Sequence, residues 1–221
     1  MNTNQLPIIS IVTPSYNQGS YLEETILSVL EQGYPALEFF IFDGGSTDGS
    51  LDIIQKHQDQ LTFWESKPDR GQSHAINKGF RMASGEIVAW LNSDDLLAPG
   101  ALKVVAQAWQ QNPGVGLITG QTEIIDQAGK PTGNIFGSEP NVINSLLSSE
   151  NPVSQPSTFF STSALKEVGF LDETLHMSMD WDLWLRIGAR FPMLFITKIL
   201  SKSRTWEMTK TRTQLVRSGP E

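Results

Sequence analysis

The chain has 221 residues, 39% hydrophobic and 18% charged, with no cysteine. That is enough apolar material for one generous soluble domain, and it excludes disulfides and thiolate metal sites. A net charge of −8 argues against nucleic-acid binding.

No apolar run approaches the ~18 residues of a membrane span, and the polar N-terminus lacks a signal-peptide core. Both features point to the cytoplasm. The charge is uneven: residues 197–221 carry six basic and two acidic side chains, a net of +4 that leaves −12 on the body. An acidic body that binds phosphates needs a cation beside them. The basic tail suits an anionic partner or peripheral contact with an acidic membrane surface, and equally a solvated helix face.

Taken in order, a β-branched stretch from Ile8 to Thr13 reads as the first strand. The loop Pro14-Ser-Tyr-Asn-Gln-Gly19 follows, and Ser20 with Glu23 forms a capping-box pattern for a helix that Gly33 and Pro35 end. Phe39 to Phe42 reads as a buried strand leading into Asp43-Gly-Gly-Ser-Thr-Asp-Gly49, with a helix from Ser50 to about Asp59. A short strand from Thr62 to Glu65 enters Lys67-Pro-Asp-Arg-Gly-Gln72, and a helix runs from Ser73 to Ala83. The apolar run Ile87 to Leu91 is a fourth strand, stopping at Asn92-Ser-Asp-Asp95. This β-α-β-α order predicts parallel strands joined by crossovers.

Beyond Asp95 the pattern loosens. It predicts a helix from Pro99 to Gln111, short strands at Gly116 to Gly120 and Thr122 to Ile125, and a turn at Asp126 to Gly129. A helix over Val142 to Ser149, a strand from Ser157 to Ser161, a helical turn at Ala164 to Val168, an apolar helix from Trp181 to Ala189 and a last strand from Met193 to Leu200 follow. Trp181, Trp184 and Leu185 read as core, and His74 and His176 as surface or supporting positions.

Acids stand at three successive strand ends: Asp43, Asp69 and the pair Asp94/Asp95. Open α/β sheets bind ligands at the carboxyl ends of their strands. Adjacent carboxylates repel unless a cation lies beside them, and hard oxygen ligands suit Mg²⁺ or Mn²⁺ holding a diphosphate. A turn capping the next helix is the alternative for Asn92 to Asp95 alone. Walker, dinucleotide, zinc-protease and nucleophile-elbow motifs are all missing from the sequence.

Five motifs occur in order: Pro14-Ser-Tyr-Asn17, Asp43 to Gly49, Lys67 to Gly71 with Asn77-Lys-Gly79, Asn92 to Asp95, and Met179-Asp-Trp-Asp-Leu-Trp-Leu-Arg186. Together they resemble a family 2 glycosyltransferase of the GT-A fold, from about Ile8 to Arg204. The resemblance implies a Rossmann-like, mostly parallel sheet flanked by helices, with a smaller acceptor-side subregion. It divides residues 1–204 into a nucleotide-binding half (about 1–98) and an acceptor-binding half (about 99–204), leaving 205–221 as a basic tail.

It implies metal-dependent, inverting transfer from a nucleotide diphosphate sugar, UDP- or dTDP-type, to a saccharide or lipid-linked acceptor. Pro14, Tyr16, Asn17, Asp43, Lys67 and Asp69 map to the nucleotide. Asp94 maps to ribose and metal, Asp95 to the metal, and Asp180 to the catalytic base. Asp182 is the rival base, expected instead to pair with Arg186 four residues on. Two positions depart from many relatives: Met179 stands where they carry Glu, and Arg204-Thr-Trp206 where they carry Arg-x-His. A nucleotidyltransferase and a non-catalytic nucleotide-sugar binder are the alternatives. The first would want a basic loop after the first strand, and Ser15 to Gly19 has no Lys or Arg.

Overall fold

Strand β1 (Ile9–Ser15) is buried at all seven positions, which is why it reads as a near-continuous run rather than an alternation. It lies between β2 (Leu37–Asp43) and β4 (Ile87–Trp90), parallel to both, and β2 pairs in parallel with β3 (Phe63–Ser66). The crossovers are α1 (Gly19–Leu30), α2 (Ser50–His57) and α3 (Gln72–Met82). The computed structural model describes residues 5–148, 151–175 and 177–205. The expected basic tail from residue 206, Trp206, His176 and the last residue of the expected helix at 142–149 lie outside them.

The remaining elements are β5 (Leu96–Leu97), α4 (Ala101–Gln111), β6 (Leu117–Ile125), β7 (Pro131–Phe136), α5 (Val142–Ser148), β8 (Thr158–Ser161), α6 (Thr162–Val168), α7 (Met179–Gly188) and β9 (Met193–Arg204). They extend the same sheet, in the order β3-β2-β1-β4-β8-β6-β9-β5, with β7 beside β6. The parallel character belongs to β1–β4. Beyond β4 the sheet is mixed: β8 is antiparallel to β4 and β6, β9 parallel to β6, and β5 antiparallel to β9.

Period-2 alternation divides the core between the two faces. Ile9, Ile11, Phe39, Ile41, Ile87, Ala89 and Phe159 meet Leu22 and Ile26 of α1 and Leu102 and Val105 of α4. Val12, Phe40, Phe42, Val88, Trp90 and Phe160 meet Ile76 and Phe80 of α3 and Leu183 and Trp184 of α7. Among the described residues, no helix is long and apolar enough to cross a membrane.

Several boundaries differ from expectation for tertiary reasons. The capping box of Ser20 and Glu23 does not form. The N-cap is Gln18, without a side-chain bond. Asp48 Oδ2 instead accepts the Gly19 N–H at 2.8 Å, while Glu23 pairs with Lys56 and His57. The two short strands expected at 116–125 are one strand, β6; the irregularities lie opposite, where β9 inserts extra residues between Ile196 and Ile199 and again between Ile199 and Ser201. Strand β7 is exposed throughout and carries no apolar alternation. Helix α7 starts two residues before Trp181, with Ser178 at the N-cap, so Asp180 lies inside its first turn.

Helix α3 packs closely on the sheet at Gly79, where a Cβ would lie 2.5 Å from both γ carbons of Val12 and 3.1 Å from Phe42. Gly79→Ala is therefore expected to destabilise the domain by ~1–3 kcal/mol through overpacking, read as a lower urea midpoint with unchanged slope. An unchanged midpoint would mean that α3 can lift freely from β1.

Candidate active site

The carboxyl ends of β1, β2, β3 and β4 open onto one cavity of about 1020 Å³. The end of β9, the turn before β8 and the first turn of α7 close it from the other side.

Of the residues expected at a site, Pro14, Tyr16, Asp69, Asp94, Asp95 and Asp180 line this cavity. Asn17, Asp43 and Lys67 stand outside its lining. Asp43 is 2% exposed. Its Oδ2 accepts from the N–H groups of Gly45 (3.1 Å) and Ser46 (2.9 Å) and from Ser66 Oγ (2.7 Å), and its Oδ1 accepts from Ser46 Oγ. This carboxylate is held by its own loop and by the end of β3. Asn17 does similar work: at φ 53° it accepts the Thr47 N–H at 3.0 Å and donates its own N–H to Ser46. Lys67 is exposed and paired with Glu65.

Gly44 shows why glycine follows Asp43. A Cβ there would meet Tyr16 Cδ2 at 3.2 Å and Asp69 Oδ2 at 3.4 Å. The missing side chain leaves a slot between an aromatic ring, 64% exposed, and a carboxylate. Asp69 is held by accepting the Gly71 N–H at 2.8 Å.

Asp95 is 4% exposed. It accepts the Arg204 N–H on Oδ1 at 3.1 Å and Asn92 Nδ2 on Oδ2 at 3.3 Å. Burial, and then the neighbouring Asp94 charge, push its pKa up to about 7, against the bonds from Ser203, Arg204 and Asn92. Arg204, also at the wall, spreads its guanidinium over several partners. Its Nε donates to the Asp94 carbonyl, Nη1 to the Gln127 carbonyl and Nη2 to Glu24, and it stacks on Tyr21 at 4.8 Å. Asp95, raised by burial and by the charge beside it, forms with Asp94 an oxygen donor set that fits a hard divalent cation. Among the described residues, no group of three or more His, Cys, Asp or Glu converges to hold a metal alone. The remaining ligands would then come from a substrate's oxygens or water.

Asp180 is half-buried. Its rival Asp182 is committed elsewhere, to Arg186 Nε at 2.9 Å and Nη2 at 2.7 Å, and Arg186 in turn donates to the carbonyls of Val168, Gly169 and Phe170. Sequence reasoning missed Gln155 and Ser203, both at the wall. A lone glutamine or serine has no chemical signature in a sequence. Asp48, which caps α1 from a distant loop, was equally silent.

The family model described as Glycosyl transferase family 2 matches residues 10–169. The chain is 31% identical over 192 residues to the poly-beta-1,6-N-acetyl-D-glucosamine synthase of Staphylococcus epidermidis, covering 82% of this chain and 47% of that protein. It is 29% identical over 218 residues to an uncharacterized glycosyltransferase of Rickettsia typhi, covering 95% and 67%. Against an uncharacterized glycosyltransferase of Nostoc the match spans 40% of that protein, so the chain covers less than half the length of several curated relatives. Staphylococcus aureus TarS 1-349 in complex with UDP-GlcNAc superposes with a TM-score of 0.74 at 21% identity, over 90% of this chain and 59% of that one. The mannosyltransferase PcManGT of Pyrobaculum calidifontis, in complex with GDP-Man and Mn²⁺, gives 0.72 at 19% identity, over 98% and 62%. With the fold of GT-A glycosyltransferases and a family match across most of its length, the chain belongs to glycosyl transferase family 2.

Proposed function

We propose that this chain transfers a sugar, with inversion, from a nucleotide diphosphate sugar to an acceptor hydroxyl in the synthesis of a polysaccharide, lipopolysaccharide or glycolipid. The observation that carries the reading is that Asp69, the pair Asp94/Asp95 and Asp180, from three separate segments, line one cavity at the strand ends. The S. epidermidis relative, a poly-beta-1,6-N-acetyl-D-glucosamine synthase, and the UDP-GlcNAc in the TarS complex support a UDP-type donor and a saccharide or lipid-linked acceptor. The Mn²⁺ in the PcManGT complex supports Mg²⁺ or Mn²⁺ at Asp94 and Asp95.

The slot of Pro14, Tyr16 and Asp69 takes the nucleoside, with Tyr16 offering a ring face and Asp69 an acceptor for a base or ribose proton. Asp43 and Asn17 contribute by holding the loop that forms the slot. Lys67, exposed beside Pro68 of the wall, offers a positive charge to the donor's phosphates. Asp94 and Asp95 would hold the cation, which supplies charge neutralisation for the leaving diphosphate when bound. Asp180 takes the proton from the acceptor hydroxyl as that oxygen attacks the anomeric carbon. With Asp182 tied to Arg186, α7 offers one carboxylate to the cavity, which suits a single displacement; a double displacement needs a second as nucleophile.

Two experiments test the reading. With a panel of nucleotide sugars and Mn²⁺, Asp180→Asn is expected to lower transfer by about 10²–10⁴-fold while leaving donor-induced thermal stabilisation intact. Asp95→Asn is expected to remove the metal-dependent part of that stabilisation. A wild-type chain that binds a donor yet releases no nucleoside diphosphate is a binder instead.

The second experiment uses pH. The folded pKa of Asp95, about 7, lies above the ~3.9 of an unfolded aspartate. The folded state therefore keeps its proton to higher pH than the unfolded state does. Stability without metal is full below pH ~4 on this account and falls as pH rises towards 7 and beyond. In EDTA the unfolding temperature is expected to drop between pH 5 and 8, and Mn²⁺ to restore more of it at pH 8 than at pH 5. A flat or rising profile in EDTA would show that Asp95 is not held in this state.

A further inference from the structure

Three side-chain amides form one line along the cavity wall. Gln155, in the turn before β8, donates Nε2–H to the main-chain carbonyl of Trp90 at 2.8 Å. Its Oε1 accepts from Asn92 Nδ2 at 2.9 Å. The same Nδ2 reaches Asp95 Oδ2 at 3.3 Å, and Asn92 Oδ1 accepts from Gln72 Nε2 at 2.7 Å.

The polarity of this line is determined at one end. A carbonyl only accepts, so Trp90 compels Gln155 to turn its NH₂ inward and its oxygen towards Asn92. Asn92 must answer with its own NH₂, and so presents a proton, not a lone pair, to Asp95. A flipped Asn92 would set an oxygen against a buried carboxylate, where the low dielectric makes like partial charges costly. The reference point is rigid, because Trp90 belongs to β4, which is paired with β1 on one side and β8 on the other.

The turn that carries Gln155 is anchored as well. Ser157 Oγ, Thr122 Oγ1 and Ser201 Oγ lie within 2.6–2.8 Å of one another, and Ser157 Oγ donates to the Gln121 carbonyl at 2.7 Å. These hydroxyls are buried and tie the turn to β6 and β9. Gln155 thus bridges the second half of the sheet to the loop after β4.

We infer that Gln155 is a positioning residue for the Asp95 carboxylate, acting through Asn92. The inference rests on the proposed glycosyltransferase site, in which Asp95 is a cation ligand. Outer-shell partners of metal ligands orient them, and their loss weakens metal binding.

The test is Mn²⁺ affinity, read from the electron spin resonance signal of free Mn²⁺ with UDP present and, in parallel, with GDP. Gln155→Met keeps the side chain's length and removes its amide. Gln155→Asn keeps an amide too short to bridge Trp90 and Asn92, and carries the test if Gln155→Met does not fold. Both are expected to weaken Mn²⁺ binding about tenfold, with unfolding temperatures in EDTA within a few degrees of wild type. Asn92→Ala is expected to do the same, and Gln155→Met added to Asn92→Ala to cost nothing more, since both interrupt one line. Wild-type affinity in folded Gln155→Met, or losses that multiply in the double variant, overturns the inference. A wild-type chain with no nucleotide-dependent Mn²⁺ binding overturns the glycosyltransferase reading, and this inference with it.

Discussion

Two carboxylates side by side at the end of a buried strand cost energy, and the architecture around them follows from that cost. Asp95 is nearly sealed from water beside Asp94, and the Arg204 guanidinium at the wall donates to carbonyls and to Glu24. The protein lowers the cost with neutral donors: a backbone N–H from β9, an amide from Asn92 and the Ser203 hydroxyl. Neutral donors steady a carboxylate without cancelling its charge.

The second constraint is distance across the cavity. Trp90, the last residue of β4, stacks on Trp184 of α7 with ring centroids 5.5 Å apart, and Phe160 of β8 stacks against both, at 5.7 and 5.1 Å. Asp94 and Asp95 follow Trp90 closely in the chain, and Asp180 lies one helical turn before Trp184. The aromatic stack therefore couples the proposed cation ligands to the proposed base through rigid groups. Its rings bury large apolar surfaces, and the preference of π systems for offset packing restricts how they can slide. The Arg70–Glu173 ion pair at 2.7 Å, with Asn77 hydrogen-bonded to the Leu171 backbone, adds a polar tie between the Asp69 loop and the segment before α7.

What was legible early was whatever local pattern dictates. Strands β1, β2 and β4 of the parallel half were visible because burial demands continuous apolar runs, whereas β3, nowhere fully buried, stood out by its place between helices. The loops were visible because glycine, proline and aspartate announce turns. The pairing of Asp182 with Arg186 followed from helical spacing alone. Strand β7 was not legible: it is held by backbone pairing to β6 and has no buried face to impose a pattern. The capping box at Ser20 and Glu23 was a sound local rule overridden from outside, because Asp48 reached the helix terminus first and Glu23 found Lys56 and His57.

The sequence by itself determined the class of fold, the family resemblance and the list of acids that any site had to draw on. Those depend on residue type and spacing along the chain. Only the tertiary structure decided which acids share a cavity. It set Asp69, Asp94, Asp95 and Asp180 around one space, tied Asp43 to its own loop and to Ser66, and brought Gln155 to Asn92 from a segment with no motif. The reason is geometric: a carboxylate's role depends on which hydrogen bonds it already accepts and how much water reaches it, and both are settled by residues far away in sequence.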